Sequence, residues 1–479
     1  MKKTAFIITA FIILFVLSAQ VCMAEDVYKD TLRVGLSYGA SAKETATFYS
    51  NDDIAVYDVN TGGGIAYISA GTPITLTATG GIVASDQFYY YTDVVRLESI
   101  GTIFYNHKEY RGAFEVRNNG DLFRVINIVD TDDYLASLLG REMSVTWPLE
   151  ALKAQAVCAR NYAFTIGGKH SSYGFDICAE QHCQVYGGVS SEAESTRRAV
   201  EETEGILVTY KDKVVPLYYF SCDGGYTEDS ENVWVSAEGY LRGKKDIYEN
   251  PEYATLYNWT KTFTKEEIEN ILLSRGVEIG ELKDVVIEEV SDNKGVIKLT
   301  FYGDMGEKSI TKSSVRSYLS LNSNAFTIEK HTLGEEVEEE IELPPVYVLS
   351  GSGMVEVSEP GYIMTSEGLY EIPYEEEAPV DEDVSYVAYT FHGHGWGHLV
   401  GMSQWGAYSM AMLGLNYRDI LSFYFTDIEF VDNKPDVAEE FVTDDEEVIE
   451  EWVEYEEETE AESDGAVTDD NIQWSDTGI

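Results

Sequence analysis

Between residues 26 and 130 the chain runs in short stretches of alternating apolar and polar positions: DTLRVGLSYG, ATFYS, DIAVYDV, PITLTAT, DQFYYYTDVVRLES and GAFEVRN. Gly, Asn and Asp punctuate them, so this part is expected to be built of β-strands joined by turns. The period then changes. Tyr134, Leu135, Leu138 and Leu139 recur at helical spacing behind Asp132, an expected N-cap, and the segment stops at Gly140. Pro148 opens a second, alanine-dense helix in which Leu149, Leu152, Ala156, Ala159 and Ala163 share a face, with Glu150 in its first turn. Glu142 is thereby placed at a joint between two helices, where a carboxyl group can be half buried.

Further on, EAESTRRAVEETEG reads as a polar helix and ILVTYKD and VVPLYYFSC as strands. Residues 261–333 alternate the two patterns. TKEEIENILLSRG carries Ile268, Ile271 and Leu272 on one face, VVIEEVSDNKGVIKLTFYG is a hairpin, and TKSSVRSYLSL a further helix. An acidic run from Glu335 to Leu343 and a second acidic break flank strand-like YVLSGSGMVEV and GYIMTSEGLYEI. Helices are expected again over Ala407–Leu413 and from Tyr417.

Composition adds limits to this picture. A chain of 479 residues with 44% hydrophobic content can bury two or three compact units. Its net charge of -52 excludes nucleic acid as an expected partner, because phosphate binding needs clustered Lys and Arg. The 34 tyrosines, with 19 Phe and 7 Trp, fit strands, and some offer faces on which sugars stack. Lys2 and Lys3 precede an apolar run from Ala5 to Leu17, and Cys22-Met23-Ala24 stand before Glu25. That is an export signal, either cleaved after Ala24 or kept as an anchor; Gln20-Val21 do not prepare Cys22 for lipidation. From Asp436 onward there are 19 Asp and Glu among 44 residues and no Lys or Arg, a composition expected to stay disordered.

Three stretches carry candidate chemistry. In KHSSYGFDICAEQHCQVYGG, His170, Cys178, His182 and Cys183 are four ligands of the kind tetrahedral zinc takes, and a site with four protein ligands is structural. A Cys178–Cys183 disulfide competes in an exported protein, and His170 as an ordinary surface residue would leave three ligands. Zinc is the expectation carried forward. In SCDGGYTEDSENVWVSAEGYL, Gly224 and Gly225 let the backbone pass close to a ligand, with Thr227, Ser230 and Glu231 at the rim; Cys222 has no evident partner. In FHGHGWGHLVGMSQWGA, His392, His394 and His398 invite a metal reading, but the glycines favour a tight backbone path lining a polar groove, with Trp405 beside it. Cys158, among alanines, reads as a small buried residue.

EM-x3-WPxEALKAQAVxARxYA closely resembles the signature of the SpoIID/LytB family, the stage II sporulation protein D class. YRGAFEVRNNGDLFRVINIVDTDDYLASLLG, the glycine turn and GHLVGMSQWGA resemble further ordered motifs of the same family, with Leu399 where relatives have glycine; the resemblance spans residues 30 to 430. It implies an α+β fold: a β-rich N-terminal part and a mixed α/β catalytic core enclosing a glycan cleft. The parts expected are a signal or anchor (1–24), the β-rich part (26–130), the core (131–333, with a small α/β insertion over 261–333), an acidic spacer with strands (334–385), the C-terminal motif (386–432) and the acidic tail (433–479). It further implies a lytic transglycosylase that cuts the MurNAc–GlcNAc bond of peptide-stripped peptidoglycan to 1,6-anhydro products, Glu142 acting as acid and then base. Thr227 and Tyr240 are expected to support Glu142, with Ser221, Gly224, Gly225, His392, His394, Ser403 and Gln404 binding glycan. Some relatives with a C-x3-HC-Q-V-Y motif bind zinc there. The alternative is a glycan-binding enhancer of an N-acetylmuramoyl-L-alanine amidase, without turnover. Either way the chain is expected at the cell wall or the extracytoplasmic face of the membrane, with glycan strands and a cell-wall amidase as partners.

Overall fold

A computed structural model describes residues 29–332 and 386–433, apart from 80–81, 86–87 and 167, together with four short strands between 347 and 371. The expected export signal, Cys22 and the acidic tail lie outside the described residues. Among the described residues no helix is long and apolar enough to cross a membrane.

The fold is α+β, with the strands concentrated at the N-terminal end as the alternating pattern requires. One sheet has seven strands in the order Ile177–Cys178, Thr31–Ser37, Leu122–Asp130, Ala113–Asn119, Val94–Glu98, Ile54–Asp58 and Gly64–Ile68. A second has six, Lys108–Tyr110, Ile103–Tyr105, Thr45–Tyr49, Ile74–Thr79, Ile82–Ala84 and Tyr89–Tyr90. Leu32, Val34, Phe48, Val56, Leu76 and Phe114 point inward and are buried. Each contributes about 1.5 to 3 kcal/mol of transfer free energy. The one parallel pairing in the first sheet sets Ile177–Cys178 against Val34–Gly35, which anchors the cysteine loop to the β-rich part.

The strand Leu122–Asp130 leads directly into helix α1, Thr131–Glu142. Its N-cap is Asp130, whose carboxylate accepts the N–H groups of Asp132 and Asp133, and not Asp132 as the apolar spacing suggested. Asp130 still has the extended backbone of the strand, which is what a cap needs, while Asp132 lies in the first turn and favours the positive helix end. The helix also runs through Gly140. There a Cβ would collide with the carbonyl oxygen of Ser191, so glycine marks a close crossing and not a stop.

Helix α2, Leu149–Thr165, begins after Pro148 and is buried nearly all round, from Ala151 through Phe164. Its alanines let α1 and the helices Glu194–Glu201, Gln404–Met412 and Tyr417–Tyr424 pack against it. Cys158 is fully buried among them, with its thiol 3.9 Å from the Met402 sulfur. Asn161 ties α2 to neighbouring strands, donating to the carbonyls of Val208 (2.7 Å) and Val215 (2.9 Å).

A second core, containing Trp259, Ile268, Leu272, Val285, Leu299, Phe301 and Val315, also takes in Tyr389 and Phe391. The reason is a three-stranded antiparallel sheet in which Tyr386–His394 lies between Asn258–Thr264 and Ala325–Thr332. The strand that carries the first two histidines of the C-terminal motif is therefore part of the insertion's own sheet. Helix Lys265–Ser274 and the hairpin Leu282–Val290 with Val296–Gly303 appear where their patterns place them. The strand-like stretches near 350 and 365 form two hairpins, Tyr347–Ser350 with Gly353–Glu356 and Tyr362–Thr365 with Gly368–Glu371.

Candidate functional site

Glu142 is the last residue of α1, and its half-buried carboxyl group accepts the Val185 N–H. Burial raises its pKa above the usual carboxylate range. Hydrogen bonds from the Val185 N–H (3.2 Å to Oε1) and the Tyr219 hydroxyl, and the charge of Arg141, pull the other way. Neither hydrogen-bond donor belongs to the expected set. Val185 directly follows the H-C-Q run of the cysteine loop, and Tyr219 opens its strand; only the fold brings them to a residue 43 or more positions away.

In that loop His170, Cys178, His182 and Cys183 converge, with their ligand atoms all within 4.8 Å of one another. His170 Nε2 lies 3.3 Å from Cys183 Sγ, and His182 Nδ1 lies 3.5 Å from Cys183 Sγ and 3.8 Å from Cys178 Sγ. Both cysteines are free thiols. Two sulfurs and two imidazole nitrogens at these separations suit a tetrahedral ion with bonds of about 2.0 to 2.3 Å.

The glycine turn proves to be packed by protein. A Cβ on Gly224 (φ +65°) would lie 2.5 Å from the Gly395 nitrogen and 2.6 Å from the His394 Cβ. The close approach that Gly224 permits is thus to the HGHGWGH backbone. Gly225 (φ +103°) needs glycine for its backbone conformation. Cys222 has a partner after all: its thiol donates to Glu249 Oε1 at 2.8 Å. Glu249 also accepts the N–H groups of Gly224 (3.1 Å) and Asp223 (3.0 Å) and the hydroxyl of Ser403. Ser403 in turn caps helix Gln404–Met412 through the Gly406 N–H.

The remaining expected residues make separate contacts, none of them a hydrogen bond to Glu142. Ser221 follows the strand that carries Tyr219, and its carbonyl accepts the Trp405 N–H. Gln404 donates to Gln155 of α2. Thr227 is buried and clasped to Lys244 through main chain and hydroxyl. The Tyr240 hydroxyl donates to the Pro216 carbonyl at 2.8 Å. Its ring helps line a pocket of about 320 Å³ with Pro216, Tyr218, Trp234 and Glu238. The three histidines do not converge. His392 pairs with Glu329 and His394 with Asn258 on the insertion sheet, whereas His398 packs against Phe220 and Trp234. Burial and the charge of Arg316 push the His398 imidazole down to about 3, so it is neutral. A second aromatic group forms where Trp147, after the α1–α2 joint, meets Trp405 (4.6 Å) and Tyr408 (5.1 Å).

With a carboxyl at a helix joint, a cysteine–histidine loop beside it and a glycine turn locked to the C-terminal motif, the chain carries a SpoIID-family domain: residues 119–210 match the family model described as "Stage II sporulation protein". An uncharacterized protein of Brachyspira hyodysenteriae is 29% identical over 328 residues, 68% of this chain and 73% of that protein. Stage II sporulation protein D of Bacillus subtilis is 26% identical over 315 residues, 62% of this chain and 73% of the relative. The amidase enhancer of Bacillus subtilis is 28% identical over 313 residues, 61% of this chain but only 39% of the enhancer's length.

Proposed function

We propose that this protein is a peptidoglycan lytic transglycosylase, exported to the cell wall, that cleaves peptide-stripped MurNAc–GlcNAc strands to 1,6-anhydro products. The observation that carries the reading is Glu142: a half-buried carboxyl at the end of α1, held by the Val185 N–H and with its pKa raised by burial. A glycoside hydrolase ordinarily needs two carboxyl groups, one for the leaving oxygen and one for water or the sugar. An intramolecular reaction needs one. The Glu142 proton passes to the glycosidic oxygen as the bond from C1 to that oxygen breaks; the carboxylate then takes the proton of the sugar's C6 hydroxyl as its oxygen bonds to C1. A raised pKa keeps the acid form populated closer to neutral pH, which the first step requires.

The pocket lined by Tyr218, Trp234 and Tyr240 offers aromatic faces to a sugar ring, and Tyr162 packs on Tyr218 (5.8 Å) from the α2 side. His170, Cys178, His182 and Cys183 would hold a structural zinc. Bound there, it would fix the loop from which Val185 reaches Glu142, with no ligand position left for water.

The relative named amidase enhancer favours a second reading, in which the chain binds glycan and stimulates a cell-wall amidase without turnover. Incubating denuded glycan with wild type and Glu142→Gln separates the two. The enzyme reading expects anhydro-muramyl products by mass spectrometry from wild type alone. Their absence, with amidase stimulation intact in the variant, would establish the enhancer reading.

A further inference from the structure

Three carboxyl groups are buried together where the glycine turn meets the C-terminal motif. Asp223 is 1% exposed, Asp246 5% and Glu249 6%, and one oxygen of each lies within 4.8 Å of the others. Their hydrogen bonds come from uncharged donors. Asp246 Oδ1 accepts the N–H groups of Tyr248 (2.7 Å) and Glu249 (3.1 Å), and its Oδ2 accepts the Tyr424 hydroxyl. Glu249 holds the Cys222 thiol, the Ser403 hydroxyl and two backbone N–H groups. Asp223 Oδ1 accepts the Gly225 N–H at 2.7 Å, but its buried Oδ2 accepts no hydrogen bond among the described residues. No ion pair among the described residues joins any of the three to a Lys, Arg or His. Lys244, whose charge reaches Asp246, gives its ammonium to the Phe423 carbonyl. Buried carboxylates this close must be neutralised, by protons or by a cation.

We propose that Asp223, Asp246 and Glu249 form a calcium site that fastens the glycine turn to the C-terminal motif. A proton shared by two of these carboxyls leaves the charge of the third buried beside them, whereas one divalent cation serves all three and takes the unpartnered oxygen of Asp223 as a ligand. The donors are all hard oxygens, unlike the sulfur and imidazole set of the cysteine loop, which selects calcium or magnesium over zinc. Oxygens on opposite sides of an ion stand about 4.6 to 5.2 Å apart around calcium and about 4.0 to 4.2 Å around magnesium. A set spread over as much as 4.8 Å suits the larger ion. Room on Glu249 is available, because Ser403 has a second acceptor in the Ser221 carbonyl at 3.5 Å and a thiol is a weak donor. Asp223 belongs to the glycine turn, Asp246 and Glu249 to the loop after it, and Ser403 and Tyr424 bring the C-terminal motif and its last helix to the same carboxylates. The site is independent of the chemistry proposed for Glu142.

The test uses the full chain with its zinc content held constant. Thermal unfolding is followed while calcium chloride is raised to about 10 mM, against magnesium chloride and sodium chloride of equal ionic strength. An ion that binds the folded chain better than the unfolded one raises the melting temperature, here by about 3 to 5 °C with saturation. Asp223→Asn keeps the side chain's shape and its acceptor for the Gly225 N–H but removes the charge and is expected to abolish the shift. Equilibrium dialysis with calcium-45 is expected to find one more ion on wild type than on the variant. Both proteins keep the acidic sequence beyond Asp436, so calcium attracted there counts equally in each. An unmoved wild-type melting temperature, an equal effect of magnesium, or a shift retained in folded Asp223→Asn overturns the site. Should that variant not fold, Asp246→Asn takes its place, and the wild-type titration decides on its own whether the carboxyls hold calcium or a shared proton.

Discussion

Glu249 gives the sharpest test of how the glycine turn is joined to the C-terminal motif. Its carboxylate is 6% exposed and accepts four donors: the Cys222 thiol, the Asp223 and Gly224 N–H groups and the Ser403 hydroxyl. Glu249→Ala leaves both backbone N–H groups buried without that acceptor, at about 1 to 3 kcal/mol each. The thiol and hydroxyl add about 1 kcal/mol together, since Ser403 is within 3.5 Å of the Ser221 carbonyl. Burial raises the pKa of Glu249, so the wild type carries a desolvation cost that the variant sheds. The net loss is about 3 to 5 kcal/mol, the scale seen when one partner of a buried charged network is removed. Urea unfolding followed by tryptophan fluorescence reads it as a fall in midpoint at constant slope. A loss under about 1 kcal/mol would mean that the turn and the motif are held by something else.

Gly224→Ala is expected to cost about 2 to 4 kcal/mol by the same assay, because its Cβ meets the Gly395 nitrogen and its backbone is left-handed. Glu228 tests the joint between core and insertion: its buried carboxylate accepts Ser291 Oγ (2.7 Å) and Asn232 Nδ2 (3.1 Å), and burial raises its pKa to about 7. A raised carboxyl stabilises the fold fully below its unfolded value and loses that contribution as pH rises through about 7. Glu228→Gln should therefore gain on wild type between pH 5 and pH 8 by about 2 kcal/mol, seen in paired urea titrations. For the cysteine loop, metal analysis of purified protein is expected to find one zinc per chain and Cys178→Ser to abolish it; absence of zinc with a mapped Cys178–Cys183 bond would discard the metal.

Much of the fold was legible because periodicity survives folding. The strands before residue 130, α1, α2 and the insertion helix Lys265–Ser274 follow from apolar spacing alone. Glu142 was legible as a carboxyl at a joint because Pro148 and the apolar stripe of α1 bracket it. What escaped are pairings between distant segments. The Asn258–Thr264 strand finds its partner in Tyr386–His394, and Cys222 finds Glu249; no local pattern in either segment names the other. Gly224 reads from sequence as a close approach to a ligand, but the C-terminal motif approaches it instead, and a lone sequence cannot tell the two apart. The histidines are the counterpart. Their clustering in sequence invites a metal reading that the glycines weigh against, and a strand that ends at His394 and a turn that packs His398 on Phe220 and Trp234 keep them apart. Tyr219 and Val185 carried no signal beyond the start of a strand and a place beside the cysteine loop.

The central claim is that one carboxyl suffices because the sugar supplies its own nucleophile. Cleaving denuded glycan in water enriched in oxygen-18 tests this directly. The account predicts anhydro-muramyl ends that carry no heavy oxygen from wild type, and none of this product from Glu142→Gln. Reducing ends labelled with one oxygen-18, or no cleavage by wild type, would contradict it.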